Sequence, residues 1–251
     1  MTARLLPAAF AASLALAAPA GAFDVSAMSD AEREAFRAEV RAYLLENPEV
    51  IMEAVAVLED REAAAQAAAD AELVETYAEE IFDDGYSWVG GNPDGDVTLV
   101  EFIDYRCSYC RRAHDEVNDL VESDGNIRLV IKEFPILGPD SLASSRFAVA
   151  VKQVAGDDAY HLAKEALIDM TGEANETTLS RLAETLGLDA DEILVQMQSD
   201  EVTAELAETR ALAQRLGING TPTFVLPDRM LRGYVPLDGM REIVADVRGE
   251  G

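Results

Sequence analysis

Apolar residues recur at helical spacing through the first third of the chain, and the pattern predicts helix over residues 29–82. Phe36, Val40, Tyr43 and Leu44 make one stripe that stops at Asn47-Pro48. Ser29 with Glu32 three places on has the spacing of a capping box, which satisfies two orphaned backbone amides. Pro48 suits the first position of a second helix, because its missing N–H would have no partner there. That helix sets Ile51, Val55 and Leu58 on one face, crosses an alanine-rich stretch over 63–71, and resumes with Leu73, Tyr77 and Ile81. Alanine favours helix but offers little side chain to bury. The segment therefore has the character of an arm, which either pairs with copies of itself or lies along the rest of its own chain.

Beyond Gly85 the period changes. A dense turn signal spans Gly90 to Asp96, and a short strand is predicted over Tyr86 to Val89. Val97 to Asp104 is β-branched and aromatic, the content of a buried strand. A helix follows from about Cys107 to Ser123, then a second strand over Ile127 to Phe134. A strand, a long crossover and a strand imply parallel pairing. From 139 to about 217 only helical periods appear, over 141–154, 159–170, 176–186, 189–197 and 201–216, with glycines between most of them. Strand character returns at 220–226 and 229–235, and an amphipathic helix over 237–247 follows. The expected fold class is α/β, a small sheet carrying a helical insertion at about 139–217 and a helical arm at 23–84. The main domain is expected over 85–251.

Residues 1–22 carry the pattern of a secretory signal. Arg4 supplies the positive start, Phe10 to Ala18 the short apolar centre, and Ala20-Gly21-Ala22 the small residues for cleavage before Phe23. The expectation is an exported, periplasmic protein cleaved near Ala22, with no membrane span after cleavage. The chain has 48 acidic against 20 basic side chains, a net charge of −28. Residues 23–85 hold 18 acidic and four basic residues, so this surface repels nucleic acid and anionic lipid.

Against that frame the chemistry is concentrated in one place. The chain has two cysteines, Cys107 and Cys110, with Ser108 and Tyr109 between them, directly after the first buried strand. A disulfide here would close a loop of two residues, which gives little entropic stabilisation, so a reactive dithiol is the better explanation. Cys107 at a helix start meets unpaired amides and the positive end of the dipole, which favour its thiolate. Cys110, one turn deeper, is placed to resolve a mixed disulfide formed by Cys107. Cys107, Cys110 and His114 lack the fourth ligand of a structural zinc site, whereas Cu(I) accepts two thiolates. His161 has the marks of an ordinary surface or core residue. No cofactor is expected.

With Cys-x-x-Cys behind a buried strand and Thr221-Pro222 ahead of a late one, the chain resembles thioredoxin-fold proteins of the DsbA-like class of thiol–disulfide oxidoreductases. The arm sequence from Tyr43 to Val50 is similar to that of the suppressor-of-copper-sensitivity C (ScsC-like) family. The resemblance implies a cis Pro222 beside the sulfurs and a Thr221 backbone that docks an extended client strand, with Ser108 and Tyr109 flanking the docked segment. It also implies that Glu101 lies beneath Cys110 as proton acceptor, with a carboxyl raised by burial. Lys132 on the next strand is expected to pair with Glu101. Strongly oxidising relatives carry histidine where this chain has Tyr109, so the Cys107 pKa is expected between about 3.5 and 7. The implied activity is disulfide isomerase or reductase on exported proteins, kept reduced by a membrane thiol electron-transfer partner and assembled as a homo-oligomer through residues 30–82. The alternatives are a monomeric DsbA-like oxidase, or a Cu(I) carrier in copper tolerance holding the ion at Cys107 and Cys110.

Overall fold

The computed structural model describes residues 25–249, and the expected signal segment, 1–22, lies outside the described residues. Packing separates the chain into two units that meet in sequence at residues 59 and 60. The first contains α1 (Asp30–Glu46) and the start of α2 (Glu49–Thr76). The Ser29 capping box is formed in both directions, and the Asn47 amide closes α1 onto the Tyr43 carbonyl. No residue of α1 is buried. Its apolar stripe, with Ile51, lines an open groove of about 420 Å³.

The second unit begins within α2. Val74 on α2 and Ile81 on α3 (Ala78–Phe82) are fully buried in its core, so the division expected at residue 84 falls some 25 residues earlier. Asp70 on α2, itself buried, receives the Arg232 guanidinium and ties the helix down. β1 (Trp88–Gly91) then opens a five-stranded sheet of order β1-β3-β2-β4-β5 with β2 (Val97–Ile103), β3 (Ile127–Glu133), β4 (Thr223–Leu226) and β5 (Arg229–Arg232). β2 and β3 run parallel, joined by α4 (Ser108–Asp124), and every other neighbouring pair is antiparallel. Between β3 and β4 stand α5 (Pro139–Ala155), α6 (Asp157–Asp169), α7 (Glu176–Thr185), α8 (Ala190–Gln196) and α9 (Asp200–Arg215), and α10 (Leu237–Val247) follows β5. This is the expected small sheet with a helical insertion.

Alternation along β2 and β3 sorts the core into two layers. Leu99, Ile103, Leu129 and Ile131 face α4, α5, α6 and α10. Val100, Phe102, Val130 and Phe134 face α2, α3 and α9. Both faces are covered, so the strands are apolar almost throughout and their sequence shows little alternation.

Candidate active site

The turn from β2 into α4 is built on Asp104. Its buried carboxylate accepts the backbone amides of Arg106 at 2.8 Å, Ile136 at 2.8 Å and Leu137 at 3.1 Å, and its carbonyl accepts from Cys107 N at 3.0 Å. That fixes Cys107 as the residue capping α4, with extended backbone and no side-chain cap for the first helical amides. Those amides are left to the sulfur. The Cys107 thiol is drawn down to about 5, first by the hydrogen bond from the Cys110 thiol and further by the amides of Cys110 and Tyr109, against the cost of burial. The value lies between the two that bracket thioredoxin and DsbA.

Cys110 has the opposite environment. It is fully buried, its thiol is spent on Cys107, and its pKa is pushed far up by that bond, by burial and by the charge of Glu101. Both thiols are free. Across from them the Thr221–Pro222 peptide is cis, and the Cys107 thiol donates to the Thr221 carbonyl at 3.1 Å. Ser108 and Tyr109 are exposed at the mouth, Tyr109 at 56%. The mouth of the site thus groups an exposed aromatic ring, a backbone carbonyl and a thiol of lowered pKa.

Glu101 lies on the face of β2 that carries Leu99 and Ile103, in the layer holding Cys110. It is 3% exposed, and its carboxyl is raised to about 7, chiefly by burial. Lys132 does not pair with it. In the β2–β3 register Glu101 lies opposite Ile131 and Lys132 opposite Phe102, so the two side chains leave the sheet on opposite faces. Lys132 instead binds the Asp84 carboxylate and the Glu80 carbonyl, beneath the Tyr86 ring. It braces α3 and the following loop against the sheet.

The structure also assembles further groups around this turn, with partners that the sequence alone did not indicate. Arg106 and Arg111 both donate to the Met170 carbonyl, at 3.1 and 2.6 Å, and Arg111 donates to Tyr105 O, clamping the α4 start to the end of α6. Arg112 lies over the Tyr234 ring at 4.4 Å. His114 meets neither sulfur in a ligand set. Its Nε2 is 2.8 Å from Glu165, and among the described residues no three His, Cys, Asp or Glu side chains are grouped to hold a metal. His161 stacks on Trp88. The Met170 and Glu165 partners come from the insertion, more than 50 positions away, where no local signal could have indicated them.

The chain is similar to known proteins. The DSBA-like thioredoxin domain family matches residues 98–245, and the copper resistance protein ScsC N-terminal domain matches 32–65. A thioredoxin-like oxidoreductase from Silicibacter pomeroyi is 45% identical with a TM-score of 0.63, covering 69% of this chain and 98% of that one. BcfH from Salmonella enterica Typhimurium is 25% identical with a TM-score of 0.71, covering 88% and 97%. Alpha-DsbA2 from Wolbachia pipientis is 25% identical with a TM-score of 0.67, covering 73% and 98%. The chain spans about a quarter of the length of the curated relatives it matches, such as the Na(+)/H(+) antiporter NhaA 1 of Salinispora arenicola, which is 29% identical over 157 residues, or 62% of this chain. Among the described residues no helix is long and apolar enough to cross a membrane. With a family match over more than half its length, a cis-proline facing a dithiol and a buried acid in the layer beneath, the chain belongs to the DsbA-like thioredoxin family.

Proposed function

We propose that this protein is a thiol–disulfide oxidoreductase that reduces and rearranges disulfides of exported proteins. The observation that carries the proposal is the asymmetry of the two sulfurs, one ionised below neutral pH and the other held as a buried thiol. The Cys107 thiolate attacks one sulfur of a client disulfide, forming a mixed disulfide and releasing the other client sulfur as a thiolate. Cys110 then gives its proton to Glu101 and bonds to Cys107, and the client leaves reduced while the dithiol is oxidised. In isomerisation the released client sulfur attacks instead, and Cys107 leaves as thiolate with no net redox change. That branch needs a reduced resting state, hence a thiol electron donor at the membrane. The N-terminal pattern supports a periplasmic location.

A nucleophile near 5 favours the reduced form less than one near 3.5 does, so the expected potential lies between about −120 and −270 mV. Equilibration of the full-length protein with glutathione measures it, alongside refolding of a scrambled disulfide substrate. A potential near −120 mV with no refolding would convert the proposal to a dedicated oxidase. Assembly through residues 30–82 is part of the same proposal. It is supported by the ScsC N-terminal match and by exposed Phe36, Tyr43, Leu45, Met52 and Leu58 on the arm. Sedimentation of the full chain as a monomer would remove it.

The copper-resistance description of the arm family favours a second proposal, in which Cys107 and Cys110 carry Cu(I). The sulfurs are the right kind of donor, but Cys110 would have to give up a proton that its bond to Cys107, burial and Glu101 hold in place. Competition against a Cu(I) chelator tests it, and affinity no better than a dithiol peptide would exclude the carrier role.

A further inference from the structure

Glu101 is a buried carboxylate with an unmet need. Among the described residues its Oε1 finds no hydrogen-bond partner. The titratable groups in its layer are Cys107 at the cap of α4, Cys110 and His114 on α4, Glu133 on β3, Tyr105 in the turn, and Tyr160 and Lys164 on α6. Lys164 and His114 are the basic groups of that set, and both are buried, with side chains 3% and 8% exposed. His114 is four residues after Cys110 on the inward stripe of α4, and Lys164 lies one turn after Tyr160 on that of α6. One residue joins them. Glu165 receives the Lys164 ammonium at 2.8 Å and His114 Nε2 at 2.8 Å. Burial pushes the Glu165 carboxyl up, but the His114 and Lys164 bonds and their charges outweigh it and hold the group at about 2. Glu165 is itself 36% exposed and borders, with Trp88, Asn118 and His161, a groove of about 240 Å³ open to water.

We propose that Lys164, carried on the inserted helix, is the positioning residue that keeps Glu101 ready to take the Cys110 proton, with Glu165 and His114 tethering that charge to the surface. The inference rests on Glu101 serving Cys110, as argued above. In that step the proton moves from Cys110 to Glu101, the Cys107–Cys110 bond forms, and the Cys107–client bond breaks with its electron pair on the client thiolate. The insertion thereby supplies the charge that Lys132, on the far face of the sheet, cannot.

The test follows Glu101 itself through its infrared carboxyl band in the full-length oxidised protein, assigned by difference against E101Q, together with the pH profile of mixed-disulfide resolution. With both thiols free Glu101 is raised to about 7, and in oxidised wild type, where the Cys107 charge that helps raise it is gone, its titration should lie no higher. In Lys164→Met the titration and the acidic limb of the rate should rise together by about one pH unit, and Lys164→Arg should restore both. In Glu165→Gln, a substitution at a partly exposed site, both should fall, because a competing negative charge is removed. If Lys164→Met does not fold, Glu165→Gln carries the test alone. A Glu101 titration unmoved in every folded variant overturns the proposal. A titration that moves while the rate does not, with E101Q resolving at the wild-type rate, overturns the proton-acceptor role of Glu101 and the kinetic part of this proposal with it.

Discussion

At the scale of single residues the protein's chemistry is one proton unevenly shared. Cys107 and Cys110 are the same side chain three positions apart, yet one faces free helical amides and the other faces a buried carboxylate. Because the folded Cys107 titrates near 5 and an unfolded thiol near 8.5, the unfolded state binds the extra proton between those values. The Cys107 contribution to the reduced protein is therefore present above pH 8.5 and lost as pH falls through 5. Urea unfolding of reduced wild type and Cys107→Ala at pH 5, 7 and 8.5 should show the difference growing with pH in favour of wild type. Absorbance of the thiolate near 240 nm should titrate with one midpoint near 5, and a midpoint near 8.5 would remove the asymmetry on which the mechanism stands.

At the scale of elements, the insertion is held to the sheet by polar groups that stability alone would not select. The Glu133 carboxylate at the end of β3 accepts the hydroxyls of Tyr105 and Tyr160, each at 2.6 Å, in a fully buried position, and burial raises it to about 7. Tyr160→Phe removes one bond to this group and should cost about 1.5–3 kcal/mol where Glu133 is ionised. For Glu133 the sign of linkage is opposite to that of Cys107. The folded carboxyl keeps its proton above the unfolded value, so its stabilisation is present below about pH 4.5 and lost as pH rises through 7. Glu133→Gln should therefore be at its greatest disadvantage to wild type near pH 5 and should gain on it by pH 8. These strands also show what a sequence can and cannot reveal. The capping box, the β2–α4–β3 order and the dithiol were legible because each is written in neighbouring residues. The partner of Glu101 was not, because strands covered on both faces lose the alternation that tells one face from the other. Lys132 was the lysine nearest along the sheet, yet register sends it to the other side, and the charged layer around Glu101 depends on Lys164 from a helix 63 residues later.

At the scale of the whole molecule the arm and the redox unit meet inside one helix, and α2 shows where each begins. Its early residues Met52, Val57 and Leu58 are exposed, whereas Asp70 and Val74 are buried. Composition had placed the divide where the helical pattern ends, but the alanine-rich stretch conceals the change because alanine suits an exposed and a packed helix equally. Two deletions separate the alternatives. Removing residues 23–59 leaves Asp70, Val74 and Ile81 in place, and the remainder should unfold within about 1 kcal/mol of the full chain while keeping its reductase activity. Removing 23–82 strips two fully buried aliphatic side chains, about 1.5–3 kcal/mol each, and leaves Arg232 without Asp70. Against a total stability of about 5–15 kcal/mol, that loss should appear as a large fall in melting temperature or a failure to fold. The shorter deletion is therefore the one that tests assembly, since it alters the arm and spares the core. It should yield a monomer that reduces client disulfides and no longer refolds a scrambled substrate. With 18 acidic residues in 23–85 of every copy, association of the intact chain should tighten between 50 and about 500 mM salt, as the like charges are screened. A shorter deletion that sediments with the mass of the intact assembly would place the assembly surface on the redox unit instead.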